Sequence, residues 1–296
     1  MSRNGVVLDL PESVRAARRP FAFNPEAREV GVLCLHGFTG SPAELRPLGA
    51  FLAEHGFAVE APLLPQHGGM PHELKGARRK AWLDAAARAF EVLQQRCRDV
   101  FIAGLSMGGL LALHFAAQHA TPKLRGLIVM AAPAAINDPR AKFVGIARFF
   151  VPYHYPFKGI NFDDPAVRAE IEKRFAAFGR IDLDDPQTRR AIVNSVRIPV
   201  DAIHELIQLN AEVMRLLPAV RAPVLFLQGR RDRVIQPDSA EVLAARVGST
   251  YRRVIWYENS AHELPLEPDA PRMFADILAF IREHSLVQAP EPAPAT

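Results

Sequence analysis

The sequence is poor in the features that mark secreted, metal-binding or membrane-spanning chains. Its 296 residues include only two cysteines, Cys34 and Cys97, which are too few for a disulfide framework or a zinc site. No signal-peptide core follows the first residues, because the apolar segment Val6–Leu10 is short and contains Asp9. The longest apolar run, residues 126–136, is far shorter than the roughly 20 residues that span a membrane. We therefore expect a cytoplasmic protein without stable membrane insertion.

The sequence also has no large excess of positive or negative charge. Lysine and arginine total 36 against 32 aspartate and glutamate, so the net charge of +4 demands no nucleic-acid partner. The basic clusters at residues 15–19, 78–80 and 230–233 are interpreted as solvated surfaces. Hydrophobic residues make up 49% of the chain, enough for a large core in one domain or in one domain with an insertion.

One stretch combines an expected strand, a tight turn and a helix in direct succession. Val100–Ala103 is a short apolar run, Gly104-Leu-Ser106-Met-Gly108 fits the pattern G-x-S-x-G, and Leu110–His119 has a helical pattern. Such a turn strains the serine backbone, exposes its hydroxyl and leaves room only for glycine two residues away on either side. The pattern by itself also fits a plain glycine turn, so the rest of a catalytic site has to come from elsewhere in the chain.

The order of the expected elements predicts an α/β protein with a mostly parallel, doubly wound sheet. Helices are expected at residues 41–55, 79–95, 110–119, 237–247 and 270–284. Possible edge strands are Val6–Leu10 and Phe21–Phe23, and the remaining expected strands are Val30–Leu35, Phe57–Glu60, Val100–Ala103, Leu124–Ala131, Pro223–Gln228 and Arg252–Trp256.

This alternation of strands and helices breaks between Ala134 and Leu217. An inserted helical cap explains the break, which divides the chain into core residues 1–133, a cap at 134–217, core residues 218–286 and a disordered tail at 287–296. The aromatic stretch Phe149–Phe157 either lines an acyl pocket or packs the cap onto the core. The helices expected in the cap are Ala141–Phe150, Pro165–Phe178, Pro186–Ser195 and Asp201–Leu217.

A serine nucleophile needs a histidine base that is oriented by a carboxylate. Of the ten histidines, His262 lies on a loop just past an expected strand. Asp232 also follows a strand, and it lies between the serine and the histidine in chain order. Asp238 is the rival carboxylate, but its place in the first turn of a helix is explained by the helix dipole alone. The predicted catalytic residues are therefore Ser106, Asp232 and His262.

Two backbone N–H groups complete the predicted site. Met107 directly follows the nucleophile, and Phe38 lies in the loop after the buried strand 30–35, so their N–H groups are the expected oxyanion donors. His36 is interpreted as a residue that orients this loop rather than as the base. His67 and His72 have no acidic or cysteine partner at ligand spacing, so we expect no metal.

Around these positions the sequence resembles the microbial carboxylesterases of the monoacylglycerol-lipase-like branch of the α/β-hydrolases. The resemblance covers about residues 30–281 and implies an α/β-hydrolase fold with a small helical cap, no cofactor and hydrolysis of short- to medium-chain acyl esters. It places the triad on Ser106, Asp232 and His262 and the oxyanion pair on Phe38 and Met107. It rests on Leu35-His-Gly-Phe-Thr-Gly40, Gly229-Arg-Arg-Asp232 and Ile255-Trp-Tyr-Glu-Asn-Ser-Ala-His262.

Two departures from the family affect the interpretation. Ala261 precedes the histidine where the family usually has glycine, and the stretches Phe149–Phe157 and Gly159–Asp185 make the cap longer than the compact family cap. The substrate range is therefore the least transferable expectation. Monoacylglycerol lipase is the alternative activity, and thioester, C–C and peptide hydrolysis use the same triad.

The expected partner is a small acyl ester, and the sequence leaves open whether the protein is a monomer or a homodimer. A non-catalytic, hydrolase-like binding protein is the remaining alternative, although such a protein would normally have lost a triad residue. The serine at the nucleophile position argues against dehalogenase or epoxide-hydrolase chemistry, which uses a carboxylate there.

Overall fold

The computed structural model describes residues 10–119, 121–136, 139–175 and 181–286. The described part contains a seven-stranded sheet and a separate two-stranded pair. The strands are β1 (Phe21–Phe23), β2 (Val30–Leu35), β3 (Ala58–Ala61), β4 (Asp99–Leu105), β5 (Leu124–Met130), β6 (Tyr153–His154), β7 (Ile198–Pro199), β8 (Val224–Gly229) and β9 (Arg252–Tyr257).

The large sheet has the strand order β1-β3-β2-β4-β5-β8-β9. Only β1 is antiparallel to its neighbour, so the carboxyl ends of the other strands meet at one edge. Every residue of β2, β4 and β8 is buried, as expected for strands that are covered by helices on both faces. The prediction of a mostly parallel, doubly wound sheet is confirmed.

Helices cover both faces of this sheet. Within the described residues, none of them combines the length and apolarity needed to cross a bilayer. The helices are α1 (Glu12–Ala17), α2 (Arg46–Glu54), α3 (Arg79–Arg96), α4 (Met107–Gln118), α5 (Val144–Ala147), α6 (Pro165–Phe175), α7 (Pro186–Ser195), α8 (Val200–Leu216), α9 (Ser239–Arg246) and α10 (Ala270–His284).

Two apolar clusters, one on each face, hold the sheet between its helices. Successive residues of a strand point to opposite faces, so Leu33 belongs to one cluster and Cys34 to the other. Helices α3, α4, α8 and α9 contribute to the first cluster, while α2 and α10 contribute to the second. Helix α4 is buried along most of its length, which explains why its sequence is apolar on every side.

Several expected boundaries differ from the structure. The helix expected at 41–55 is a 3-10 turn at Pro42–Leu45 followed by α2, because Pro47 has no N–H to continue an unbroken helical ladder. Strand β3 begins one residue later than expected, and helix α1 was not anticipated. Of the possible edge strand Val6–Leu10, only Leu10 is described, and it is not in a strand. The tail at 287–296 lies outside the described residues.

Two of the basic clusters contain residues that are not simply solvated. Arg18 donates to the carbonyl oxygen of Gly69 at 3.1 Å. Arg79 forms ion pairs with Glu205 at 2.9 Å and with Glu212 at 3.3 Å, both on α8. The solvated-surface interpretation is wrong for these two arginines, because their partners are too distant in sequence for a local pattern to reveal.

The chain leaves the sheet after β5 and returns at β8, and we call residues 134–217 the excursion. The helix expected at 141–150 is instead a 3-10 turn followed by the four-residue α5. Phe149 and Phe150 are 73% and 80% exposed, so they do not pack the excursion onto the core. Residues 176–178 of another expected helix lie outside the described part. A small apolar cluster of the excursion's own contains Phe157, Phe162, Ile171, Leu183, Ile192 and Val196.

Candidate active site

Ser106 lies in a strained turn between β4 and α4. Its φ of 54° and ψ of −115° are unfavourable for a residue with a side chain, and such strain persists only where the surrounding structure holds it. The Ser106 N–H donates to the carbonyl oxygen of Met130 at 2.8 Å. A side chain at Gly104 would overlap the carbonyl group of Gly108, and one at Gly108 would overlap that of Leu35. The predicted need for glycine on both sides of the serine is confirmed.

His262 and Asp232 form a direct pair at the same edge of the sheet. Asp232 follows β8, His262 follows β9, and His262 Nδ1 lies 2.8 Å from Asp232 Oδ2. The other carboxylate oxygen of Asp232 accepts the N–H groups of Val234 at 2.8 Å and Ile235 at 3.3 Å. Because the Asp232 side chain is only 1% exposed, these bonds hold the carboxylate in place beside His262 Nδ1.

The rival carboxylate has a different environment. Asp238 is exposed at the N-terminus of α9, whereas Asp232 is buried. The structure therefore pairs His262 with the carboxylate that the sequence favoured. Within the described residues, no hydrogen bond joins the Ser106 hydroxyl to His262, a contact that is often loose in the absence of substrate.

A hydrogen-bond network that the sequence did not indicate holds the loop that carries His262. Asp269 Oδ2 accepts the N–H of Asn259 at 2.8 Å and the hydroxyl of Ser260 at 3.0 Å. A side chain at Gly229 would overlap the carbonyl groups of residues 260 and 261, so glycine allows this loop to close over the end of β8. Asp269 stands at the N-cap of α10 without capping it through its side chain. An aspartate at that position looks like an ordinary helix cap in the sequence, although its side chain bonds to the loop that carries His262 instead.

The predicted oxyanion donors lie at the start of α4 and in the loop after β2. Among the described residues, the backbone N–H groups of Phe38 and Met107 have no hydrogen-bond acceptor. Met107 is the first residue of α4, where the helix leaves its N–H groups unpaired and directs its positive end. An oxyanion donor requires an unpaired N–H of this kind.

His36 connects the loops that follow β2 and β3. Its Nε2 accepts the N–H of Leu64 at 3.1 Å, and its Nδ1 lies 3.0 Å from the carbonyl oxygen of Gly37. Burial lowers the pKa of His36 to about 3, so the ring is neutral at physiological pH. These contacts match the interpretation of His36 as a loop-orienting residue.

His67 packs against the same region. Its ring lies edge-on to those of His36, Phe38 and Trp82, with centroids 5.0, 6.3 and 5.6 Å away. Burial lowers the pKa of His67 to about 4. The part of the chain that is described contains no group of three or more side chains placed to bind a metal.

Comparison with known proteins gives consistent matches along most of the chain. The family model described as serine aminopeptidase, S33, matches residues 26–269. The thermostable monoacylglycerol lipase of Bacillus sp. (strain H-257) is 27% identical over 263 residues, which are 89% of this chain and 94% of the lipase. The carboxylesterase of Bacillus subtilis (strain 168) is 26% identical, over 90% of this chain and 96% of the esterase.

Comparison with solved structures also finds lipolytic enzymes. One that is described with LipS and LipT, two metagenome-derived lipolytic enzymes, superposes with a TM-score of 0.73 at 28% identity. The match covers 90% of this chain and 98% of the other. The similarity therefore extends over most of both chains.

Proposed function

We propose that this chain, which belongs to the family described as serine aminopeptidase, S33, is a serine carboxylesterase which hydrolyses short- to medium-chain acyl esters. Its fold is the α/β-hydrolase fold, and it is an esterase- or lipase-type hydrolase. The observation that carries the finer proposal is the 2.8 Å contact between His262 Nδ1 and Asp232 Oδ2, at the sheet edge where Ser106 occupies its strained turn.

In the first step of the proposed reaction, Ser106 Oγ attacks the ester carbonyl carbon. His262 Nε2 accepts the hydroxyl proton, and Asp232 stabilises the resulting imidazolium through Nδ1. The carbonyl oxygen becomes an oxyanion, which the N–H groups of Phe38 and Met107 bind. When this intermediate collapses, the carbon–oxygen bond to the alcohol breaks and the alcohol leaves with the proton from His262. The acyl group remains on Ser106.

The second step repeats the same movements with water as the nucleophile. His262 removes a proton from water, the hydroxide attacks the acyl-enzyme, and the oxyanion forms again at Phe38 and Met107. The carbon–oxygen bond to Ser106 then breaks, and His262 returns the proton to the serine oxygen. The net reaction converts an ester and water into an acid and an alcohol, and these side chains supply its proton transfers without a cofactor.

Monoacylglycerol hydrolysis is the second candidate activity. The relative from Bacillus sp. (strain H-257) that carries this name matches almost all of its own length to this chain. The two activities differ in the alcohol and the acyl length that the site accepts, which the excursion is proposed to determine as a cap over the site. The proposed organisation has core residues 1–133 and 218–286 with a cap at 134–217. A cytoplasmic location stays a prediction.

A fluorophosphonate probe tests for an activated serine. We expect one adduct by intact mass, mapped to the peptide that contains Ser106 and absent from Ser106→Ala, with no ester turnover in that variant. Nitrophenyl esters and monoacylglycerols of increasing acyl length then separate the two candidate activities. A folded wild-type protein without an adduct or turnover would favour the hydrolase-like binding protein. Near-normal hydrolysis by Ser106→Ala would rule out the proposed nucleophile.

A further inference from the structure

One carboxylate bonds to both ends of the loop that carries Phe38. Glu44 Oε2 accepts the N–H of Gly37 at 3.1 Å, and Glu44 Oε1 accepts the N–H of Ser41 at 3.2 Å. Glu44 belongs to the 3-10 turn that precedes α2, so a residue outside the loop bridges its two flanks. The sequence indicates only half of this arrangement, the capping box between Ser41 and Glu44.

The Glu44 carboxylate also lies close to the nucleophile. A Cβ built on Gly37 would lie 3.5 Å from the Cβ of Ser106 and 3.6 Å from Glu44 Oε2. Gly37 is therefore near both the Glu44 carboxylate and the serine side chain. A side chain at Gly40 would overlap Glu44 Oε1, so the loop lies directly against the carboxylate on both flanks.

The N–H that Glu44 binds lies next to a free N–H of the loop. Glu44 occupies the N–H of Gly37, while the next N–H along the chain, that of Phe38, has no acceptor in the described structure. We propose that Glu44 is a positioning residue that holds the Phe38 N–H in place to bind the oxyanion. The proposal rests on the proposed function, because it assigns Glu44 a role in the reaction at Ser106.

The charges around Glu44 define the conditions for a test. Two charged side chains act on it, Glu263 beside His262 and Arg18 after α1. Burial raises the pKa of Glu44 to about 7. Two N–H donors suit an ionised carboxylate with both oxygens accepting, so the kinetics should be measured at about pH 8, above this pKa.

Glu73, which lies in another 3-10 turn, offers a matched control. Glu73 Oε1 accepts the N–H of Met70 at 2.8 Å, and a side chain at Gly69 would overlap its carboxylate. Glu73 is more exposed than Glu44 and pairs with Arg15 at 3.1 Å. Glu73 bonds to no N–H of the loop that carries Phe38. Glu73→Gln therefore changes the same local motif without changing the two hydrogen bonds between Glu44 and that loop.

The test compares Glu44→Gln with Glu73→Gln in ester hydrolysis. The oxygen of the glutamine amide can still accept one backbone N–H, but its NH2 group faces the other backbone N–H. One of the two hydrogen bonds to the loop is therefore lost. We expect Glu44→Gln to lower kcat about 10- to 100-fold, somewhat less than the loss of an oxyanion donor itself, with KM within about threefold. The Ki of a trifluoromethyl ketone, which forms an oxyanion on the serine, should rise by the factor by which kcat/KM falls. Glu73→Gln should keep both values within about twofold.

The rise in Ki separates positioning from loss of folded protein, since unfolding lowers the amount of active enzyme and leaves Ki unchanged. Should Glu44→Gln fail to fold, Glu44→Asp keeps the charge but is too short to reach both N–H groups, so it should show the same loss. Equal kcat and Ki in the Glu44 and Glu73 variants, with normal labelling of Ser106, would overturn this inference alone. A wild-type protein without labelling or turnover would overturn the proposed function as well.

Discussion

The loops at the carboxyl edge of the sheet and the surface of the excursion differ in how deeply their charged groups are buried. In the loops, buried carboxylates bond to backbone: Asp232 accepts two N–H groups besides its contact with His262. In the excursion, the ion pair of Arg168 and Asp184 lies at the surface, where such pairs contribute little to stability. Phe149, a large apolar side chain of the excursion, is 73% exposed.

This difference indicates that the backbone is held most tightly in the loops at the carboxyl edge of the sheet. The two apolar clusters of the sheet anchor each strand end, and this packing compensates for the strained backbone of Ser106. Apart from Ala134 and the segment from α8 to Leu217, which join the first cluster, the described part of the excursion has a small cluster of its own. We therefore expect substitutions in the loops to change turnover or titration strongly, and substitutions on the surface of the excursion to change little.

The largest effect is expected from Asp232→Asn. The amide cannot stabilise the imidazolium and favours the wrong tautomer of His262, so kcat should fall by roughly four orders of magnitude. Steady-state hydrolysis of a nitrophenyl ester measures this change, and the melting temperature checks that the variant is folded. Asp238→Asn is the matched control, because Asp238 is exposed at the start of α9.

Asp238→Asn should retain kcat within about twofold, as is usual for an exposed residue outside a network. If the Asp238 variant lost the activity and the Asp232 variant kept it, the carboxylate would be wrongly assigned. The comparison between loops and excursion would then lose its main support, since an exposed residue would have the larger effect.

A second prediction concerns the opposite pH dependence of two carboxyl groups. Burial raises the pKa of Glu44 from 4.5 to about 7, so the stability it contributes is greatest below pH 4.5 and is lost as the pH rises to about 7. At about 1.4 kcal/mol per unit, the wild-type protein should lose up to roughly 3 kcal/mol relative to Glu44→Gln over this range. Urea denaturation of both proteins at a series of pH values measures the difference.

In the excursion the sign is reversed. The Gln187 N–H donates to Asp185 at the N-cap of α7, and this bond lowers the pKa of Asp185 below its ordinary value. The stability that Asp185 contributes is therefore present above pH 3.8 and is lost as the pH falls further. Relative to Asp185→Asn, the wild-type protein should lose stability only at acid pH. Parallel stability curves for either pair of proteins would contradict the corresponding prediction.

The sequence could predict the elements whose signal is local. Strand β2 and the helices α7 and α10 were expected at their observed bounds, since their patterns combine a clear period with a clear start. The choice of Asp232 and His262 followed from their positions just past strands, because the ends of parallel strands meet at one edge of the sheet. The structure brings these two side chains into contact.

Residues that act through distant partners could not be predicted in this way. The glutamate of a capping box is visible in the sequence, but the bond from Gly37 to Glu44 depends on how the loop after β2 folds back. The bonds of Asp269 to the loop that carries His262 depend on the packing of α10. The helix expected at 141–150 formed only in part, because its large apolar side chains do not share a buried face, as the exposure of Phe149 shows.

The smallest effect is expected from the double substitution Phe149→Ser and Phe150→Ser. Both rings are largely exposed, so their removal leaves no cavity and should change the free energy of unfolding by less than about 0.5 kcal/mol. Phe157→Ser is the matched comparison, because Phe157 is buried in the small cluster of the excursion and a hydroxyl there lacks its apolar contacts. Urea denaturation should show a loss of about 1–3 kcal/mol for Phe157→Ser. If the double variant were the less stable of the two, the exposed rings would contribute to folding, and the excursion would be packed more like the core than its surface indicates.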